Sequence, residues 1–149
     1  MSACVLRLLS LATLLAFLAP AFAQTSAWPV LRLTPEELRW TPFPNGVFRA
    51  DIAGDELKPG MYAYRVRFPS GFRNKPHFHP DDRLVIVISG TVYVGFSEEF
   101  SEGAMKPLPP GSIWTEPSRE PHYVWVKDGE AVIQVVGGNG PSSSTPVKR

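Results

Sequence analysis

Short apolar segments, separated by glycine and proline, dominate the chain from residue 61 onwards. In residues 61–68 (MYAYRVRF), apolar positions alternate with positions of mixed character, which places Tyr62, Tyr64 and Phe68 on one face of a strand. Residues 84–88 (LVIVI) are continuously apolar, a pattern typical of a strand that is covered on both faces. The same signals predict further strands at residues 91–96, 112–115, 122–126 and 131–136. Short strands with Gly/Pro turns at regular spacing predict an all-β, antiparallel sandwich or small barrel.

The segments that flank these strands have different compositions. Residues 24–60 form an N-terminal arm that carries the first strands, and within it residues 34–38 (TPEEL) predict one helical turn capped by Thr34. Residues 137–149 (GGNGPSSSTPVKR) are rich in Gly, Ser and Pro, which predicts a flexible C-terminal tail. The chain length favours a single domain, with residues 61–136 as its core.

The first 23 residues have the layout of a secretory signal peptide. One basic residue, Arg7, precedes an apolar run from Leu8 to Ala19, and Ala21-Phe22-Ala23 provides a small-x-small cleavage site. The run is shorter than the roughly 20 residues of a membrane span, although an uncleaved anchor is the alternative. The single cysteine, Cys4, lies in this segment, so the mature chain has no thiol. We therefore expect a periplasmic or secreted protein without disulfides.

The balance of charge excludes some classes of partner. The chain has 15 basic and 14 acidic residues, and Arg7 would be removed with the signal peptide. The mature chain is then close to neutral, and it has no basic run. Nucleic acid and anionic membrane surfaces both attract clustered Lys and Arg, so we expect neither as a partner. The sequence also has no G-x-S-x-G, P-loop or dinucleotide-binding motif.

Three histidines are the candidate chemistry of this chain. His77 and His79 are two residues apart, so in a strand their side chains point the same way, about 6 to 7 Å apart at the backbone. His122 begins another predicted strand, which a barrel can bring close to the first pair. Imidazole nitrogens in this arrangement can share one metal ion. Ordinary hydrogen-bonded histidines are the alternative when the H-x-H pair is taken alone.

The residues around the first two histidines resemble the first motif of the cupin family. That motif is a glycine, five residues, H-x-H, three or four residues, a glutamate, six residues and a glycine. Here Gly71, His77-Phe78-His79 and Gly90 stand in that register, and Arg83 occupies the position of the glutamate.

The second cupin motif is also present, in the expected order. The glycine, proline and histidine of that motif are matched in register by Gly111, Pro117 and His122. Arg119 stands in place of its second glycine, and Val126 in place of its final asparagine. The resemblance implies a double-stranded β-helix, the cupin jelly-roll barrel, with residues 61–136 as the barrel core.

The resemblance also implies a ligand set and partners. His77, His79 and His122 match the three imidazole ligands of a divalent metal ion, which could be Fe, Mn, Zn, Ni or Cu. Single-domain members of the family are commonly dimers, so a homodimer is implied. The expected ligand or substrate is a small molecule, with an anion favoured by the arginine that replaces the glutamate.

Arg83 is the main departure from the family pattern. An arginine turned inward would repel a divalent ion at 5 Å by roughly 6 kcal/mol at an effective dielectric constant of 20. In one alternative Arg83 turns outward or pairs with Asp81 or Asp82, one of which supplies the missing oxygen ligand. In another, three histidines hold the ion, and an anionic ligand contacts both the ion and Arg83. In the third, no metal binds, and the barrel is a pocket for a small anion or an apolar ligand.

The sequence therefore favours an exported metalloenzyme, most plausibly an oxygenase that acts on a small organic anion. In this hypothesis Arg83 is the catalytic residue that orients the negative group of the substrate. The alternative is a non-catalytic cupin that binds a small molecule, and the sequence leaves the choice between enzyme and binder open. Glu116, in the second motif, is a conceivable acid or base, but it is expected to be a loop carboxylate in water.

Overall fold

The computed structural model describes residues 28–148, so the predicted signal peptide, residues 1–23, lies outside the described residues. In this range the chain forms β-strands and three short 3-10 turns, without an α-helix. No helix of the described part is long and apolar enough to span a membrane. The strands are β1 (Thr41–Pro42), β2 (Phe48–Ala53), β3 (Gly60–Phe68), β4 (His77–Phe78), β5 (Arg83–Ser89), β6 (Val92–Gly95), β7 (Lys106–Leu108), β8 (Ile113–Glu116), β9 (Tyr123–Trp125), β10 (Ala131–Gly140) and β11 (Thr145–Pro146). The turns are Pro35–Glu37, Pro44–Gly46 and Glu102–Ala104.

The strands pair antiparallel throughout and form three sheets. The largest has six strands in the order β1-β2-β3-β10-β5-β8. A second sheet has the order β7-β6-β9, and β4 pairs with β11 in a third. Strands distant in sequence, such as β3 and β10, are neighbours, which shows that the chain rolls up rather than folding as consecutive hairpins. The predicted all-β class is confirmed.

One apolar core joins the six-stranded and three-stranded sheets. Val85 and Val87 of β5 and Val92 of β6 are at most 1 % exposed. The rings of Tyr62 and Tyr64 stack in parallel, with centroids 5.9 Å apart. The complete cluster consists of Tyr62, Tyr64, Phe68, Val85, Val87, Val92, Val94, Leu108, Trp114, Val124, Val126, Ala131, Ile133 and Val135. Burial of these side chains is the main favourable contribution to folding.

Each strand predicted from residue 61 onwards is present, but the predicted environment of β5 is wrong. Val85 and Val87 face the core, whereas Leu84 and Ile88 are each 40 % exposed. The continuous apolar run had predicted cover on both faces. Because alternate residues of a strand point to opposite faces, the outer face of β5 carries exposed apolar side chains.

The C-terminal segment differs from the prediction of a flexible tail beginning at residue 137. β10 continues to Gly140, and Thr145–Pro146 pairs with β4. A Cβ atom at Gly137 would lie 1.9 Å from the ring of Tyr62, so glycine is what allows this ring to pack on the backbone. Here the glycine-rich composition reflects close packing.

The turn between β8 and β9 keeps the backbone shape that the second motif requires. Arg119, which replaces the motif glycine, has a φ of 63°, in the left-handed region. A residue with a side chain adopts this conformation at a cost of about 1 kcal/mol. The N–H of Arg119 donates a hydrogen bond of 2.7 Å to the carbonyl of His79. The strained turn thereby holds the backbone of a candidate ligand in place.

Candidate metal centre

Three imidazole rings lie together inside the fold. His77 begins β4, His79 follows β4 directly, and His122 precedes β9. The backbones of His77 and His122 form an antiparallel bridge with reciprocal hydrogen bonds of 3.0 and 2.9 Å. The ring centroids are 4.5 to 5.1 Å apart, and one nitrogen of each ring lies within 4.8 Å of the other two. The structure therefore brings together the three histidines that the sequence singled out.

Each of these rings has its Nδ1 atom at a backbone carbonyl. The acceptors are the carbonyl of Lys75 for His77 at 3.0 Å, that of Ser143 for His79 at 2.7 Å, and that of Glu120 for His122 at 3.1 Å. Because a carbonyl oxygen can only accept, these contacts assign the ring proton to Nδ1. The Nε2 atoms are then left with free lone pairs, which is the tautomer that a metal-binding histidine needs.

Burial keeps these imidazoles neutral. It lowers the pKa of His79 to about 3, with a second contribution from the nearby positive charge of Arg83. Burial also lowers the pKa of His77 and that of His122. Neutral rings are the form that coordinates a metal ion, because a protonated Nε2 has no lone pair to donate.

Glu116 is the site residue whose role the sequence analysis missed. The expectation of a loop carboxylate in water was wrong, because Glu116 ends β8 and is only 5 % exposed. Its Oε1 atom accepts a hydrogen bond of 3.0 Å from Nε1 of Trp114 and lies 3.3 Å from Nε2 of His122. Its Oε2 atom lies 3.7 Å from Nε2 of His79. Burial raises the pKa of the Glu116 carboxyl group. The sequence held one signal for this position: Trp114 and Glu116 are two residues apart in a strand, so their side chains point to the same face.

Arg83 points inward and is held by a polar network. Its Nη2 donates to Oγ of Ser142 at 2.6 Å, and its Nη1 donates to Oη of Tyr64 at 3.2 Å. Its Nε lies 3.7 Å from Oδ1 of Asp81, and Nη1 lies 3.9 Å from Oε2 of Glu116. With 8 % of its surface exposed, Arg83 is not a surface arginine.

The two aspartates proposed as substitute ligands have other roles. Asp81 is buried and accepts hydrogen bonds from the hydroxyl groups of Tyr62 and Ser142, so that it balances the charge of Arg83. Asp82 is exposed and accepts a hydrogen bond of 2.7 Å from the backbone N–H of Ser118. Among the described residues, the group that could hold a metal ion consists of His77, His79 and His122 and includes neither aspartate nor Glu116.

The residues present fit a divalent metal ion. Three neutral Nε2 atoms converge, and each ring is fixed by a hydrogen bond on its far side. Oε2 of Glu116 is buried and has no hydrogen-bond partner among the described residues. A carboxyl oxygen that faces imidazole lone pairs is stabilised there by a proton or by a metal cation that both groups share. This donor set of nitrogens and an oxygen suits Zn, Fe, Ni, Cu or Mn.

Comparison with solved structures identifies the fold. No family model and no curated protein matches the chain. An RmlC-like cupin from Shewanella frigidimarina matches with a TM-score of 0.61 at 15% identity, over 76% of this chain and 94% of that one. KdgF from Halomonas sp. matches with a TM-score of 0.58 at 23% identity, over 77% and 94% of the two chains. The polyketide cyclase RemF from Streptomyces resistomycificus matches with a TM-score of 0.64 at 13% identity, over 81% and 87%.

At these identities the likeness is one of fold. It confirms the double-stranded β-helix, the cupin jelly-roll barrel, that the motif resemblance implied. The chain therefore has the jelly-roll fold of small cupins.

Proposed function

We propose that this protein binds a divalent metal ion through His77, His79 and His122 and acts as a metal-dependent oxygenase on a small organic anion. The observation that carries the proposal is the convergence of three neutral, oriented Nε2 atoms in a buried site. A metal ion held there would supply Lewis acidity and, if redox-active, the capacity to react with dioxygen.

The charges of a cleft that neighbours His77 in the chain, although no histidine of the described residues lines it, support an anionic substrate. A cleft of about 470 Å³ is lined by Arg73, Lys75 and Pro76, the last of which directly precedes His77. Pro146, the strand partner of His77, also lines this cleft. The one acidic side chain of its lining is Glu98, so the cleft has a net positive charge. Positively charged clefts concentrate anions.

A structural comparison supports the same class of substrate. Oxalate oxidase in complex with glycolate matches with a TM-score of 0.50 at 22% identity, over 65% of this chain and 53% of that one. Glycolate is a small organic anion.

Arg83 is the group that we propose orients the anion. Its Nε donor makes no hydrogen bond among the described residues and lies 3.7 Å from Oδ1 of Asp81, so an anion that binds to this N–H would compete with that carboxylate. An Arg83→Lys variant keeps the charge but loses the planar fork, so the KM for an anionic substrate should rise more than kcat falls.

The first test is the metal content of the purified protein. Elemental analysis should find close to one equivalent of a transition metal, and a His77→Ala/His122→Ala double variant should retain less than about a tenth of an equivalent. Arg119→Lys, a turn variant without a ligand change, is the control. A wild-type protein that stays below a tenth of an equivalent after loading would remove the proposal.

The second test separates an oxygenase from a protein that only binds its ligand. Dioxygen consumption is measured with the metal-loaded protein and a panel of small carboxylates that includes oxalate and glycolate. Saturable binding of one of these anions without dioxygen consumption would establish the alternative, a non-catalytic small-molecule-binding cupin.

We also propose that the protein is exported and forms a homodimer. Export rests on residues 1–23, and mass spectrometry of the exported protein should find a chain that begins at Gln24. The dimer is supported by exposed apolar residues on one sheet face, where Leu84 and Ile88 lie beside Ile113, which is 64 % exposed. Sedimentation velocity should give the mass of two chains.

A further inference from the structure

We propose that Glu116 is the carboxylate ligand of this metal centre, in place of the glutamate that the cupin motif has at position 83. The inference rests on the metal binding proposed above and assigns one additional ligand to it. It also explains how an arginine can occupy the motif position without abolishing the site.

The strand register places the two residues side by side. Arg83 and Glu116 are directly opposite each other in the antiparallel pair of β5 and β8. Residues at opposed positions point to the same face of a sheet, with Cβ atoms about 4.5–5.5 Å apart. A carboxylate at position 116 therefore reaches the same interior region as a carboxylate at position 83, from the neighbouring strand.

The two carboxylate oxygens have different environments. Oε1 is held by Nε1 of Trp114 at 3.0 Å, which fixes the orientation of the group. Oε2 is buried, lies 3.7 Å from Nε2 of His79, and has no hydrogen-bond partner among the described residues. A buried carboxylate oxygen without a donor is costly, so this atom is the one that faces the position of a cation.

A bound cation would also balance the buried charges. Arg83 lies 3.7 Å from Asp81 and shares the hydroxyl of Ser142 with it, and Nη1 of Arg83 lies 3.9 Å from Oε2 of Glu116. One guanidinium group therefore faces two carboxyl groups, which leaves an excess of one negative charge when both are ionised. A divalent ion bound there leaves a net charge of one, the same as three histidines and one glutamate give in the family pattern.

The test measures metal affinity rather than activity. Zn²⁺ is titrated into the apoprotein against a chromophoric chelator for the wild type, Glu116→Gln and Glu99→Gln. Glu99 is exposed, and its substitution removes the same charge without removing a ligand. We expect the Kd of Glu116→Gln to rise about 30-fold or more, and that of Glu99→Gln to change less than about threefold. Equal affinities for the wild type and Glu116→Gln would overturn the proposal.

A second measurement needs no variant and so does not depend on the folding of Glu116→Gln. In a crystal structure of the Zn²⁺-loaded wild type, we expect Oε2 of Glu116 at about 2.0–2.2 Å from the ion. An ion bound by the three histidines with Glu116 beyond about 3.5 Å would overturn this proposal and leave the metal site intact. A wild-type protein that binds no Zn²⁺ would remove both proposals together.

Discussion

Arg83 is the residue whose removal gives the sharpest test of the buried polar network. An Arg83→Met substitution keeps most of the side-chain length and removes the guanidinium group. It breaks the hydrogen bonds to Ser142 at 2.6 Å and Tyr64 at 3.2 Å and leaves Asp81 as an unpaired charge that is 5 % exposed. Breaking a buried pair by removing one partner costs about 3–5 kcal/mol. We therefore expect the free energy of unfolding of the metal-free protein to fall by about that amount.

The double variant Arg83→Met/Asp81→Asn shows whether the unpaired charge is the cause. It removes both charges, and pairs replaced by neutral groups are often tolerated, so we expect it to recover about 2 kcal/mol of the loss. Urea unfolding followed by tryptophan fluorescence measures all four members of the cycle, with unchanged slopes as the sign of comparable folded states. A single variant that loses less than about 1 kcal/mol, or a double variant that loses the sum of the two singles, would refute the reasoning.

Three further predictions concern the backbone and the protonation of the site. The buried, neutral ring of His79 should make the metal-free protein less stable as the pH is lowered. Below pH 6.5 the unfolded chain takes up a proton that the buried ring, with its pKa of about 3, does not, so the free energy of unfolding should fall by about 1.4 kcal/mol for each pH unit through His79 alone. Urea unfolding at several pH values should show a flatter profile for His79→Asn. Gly137→Ala should destabilise by about 1–3 kcal/mol, because the new Cβ would lie 1.9 Å from the ring of Tyr62. Gly138→Ala should cost less than about 1 kcal/mol in the same assay, because its new Cβ would lie 3.9 Å from the carbonyl oxygen of Asp82. Arg119→Gly should raise the free energy of unfolding by roughly 0.5–1 kcal/mol, because glycine adopts a φ of 63° freely. A loss of stability would show that contacts of the arginine side chain stabilise the fold by more than the left-handed backbone conformation destabilises it.

The fold and the histidine cluster could be predicted because both depend on local patterns. Alternation and Gly/Pro turns located the strands, and the spacing of His77, His79 and His122 matched two motifs in the correct order. Arg119, which stands at the position of the motif glycine, has a φ of 63°, a left-handed conformation that glycine adopts most readily.

What the sequence could not provide was the pairing of strands distant along the chain. Glu116 enters the site only because β8 pairs with β5 in the register that sets it opposite Arg83, and a strand pattern does not specify that register. The interpretation of Leu84 and Ile88 failed for the related reason that burial depends on which elements cover a sheet face.

The course of the C-terminal segment after β10 has a consequence for the chemistry of the site. The carbonyl of Ser143 fixes the proton of one imidazole, and the hydroxyl of Ser142 lies between the guanidinium group and the aspartate beside it. A chain that stopped at Gly140 would keep every strand of the largest sheet but lose these two supports. Residues 141–148, which look dispensable in composition, thus decide which nitrogen of His79 is available, and the reactivity of the interior depends on this segment being in place.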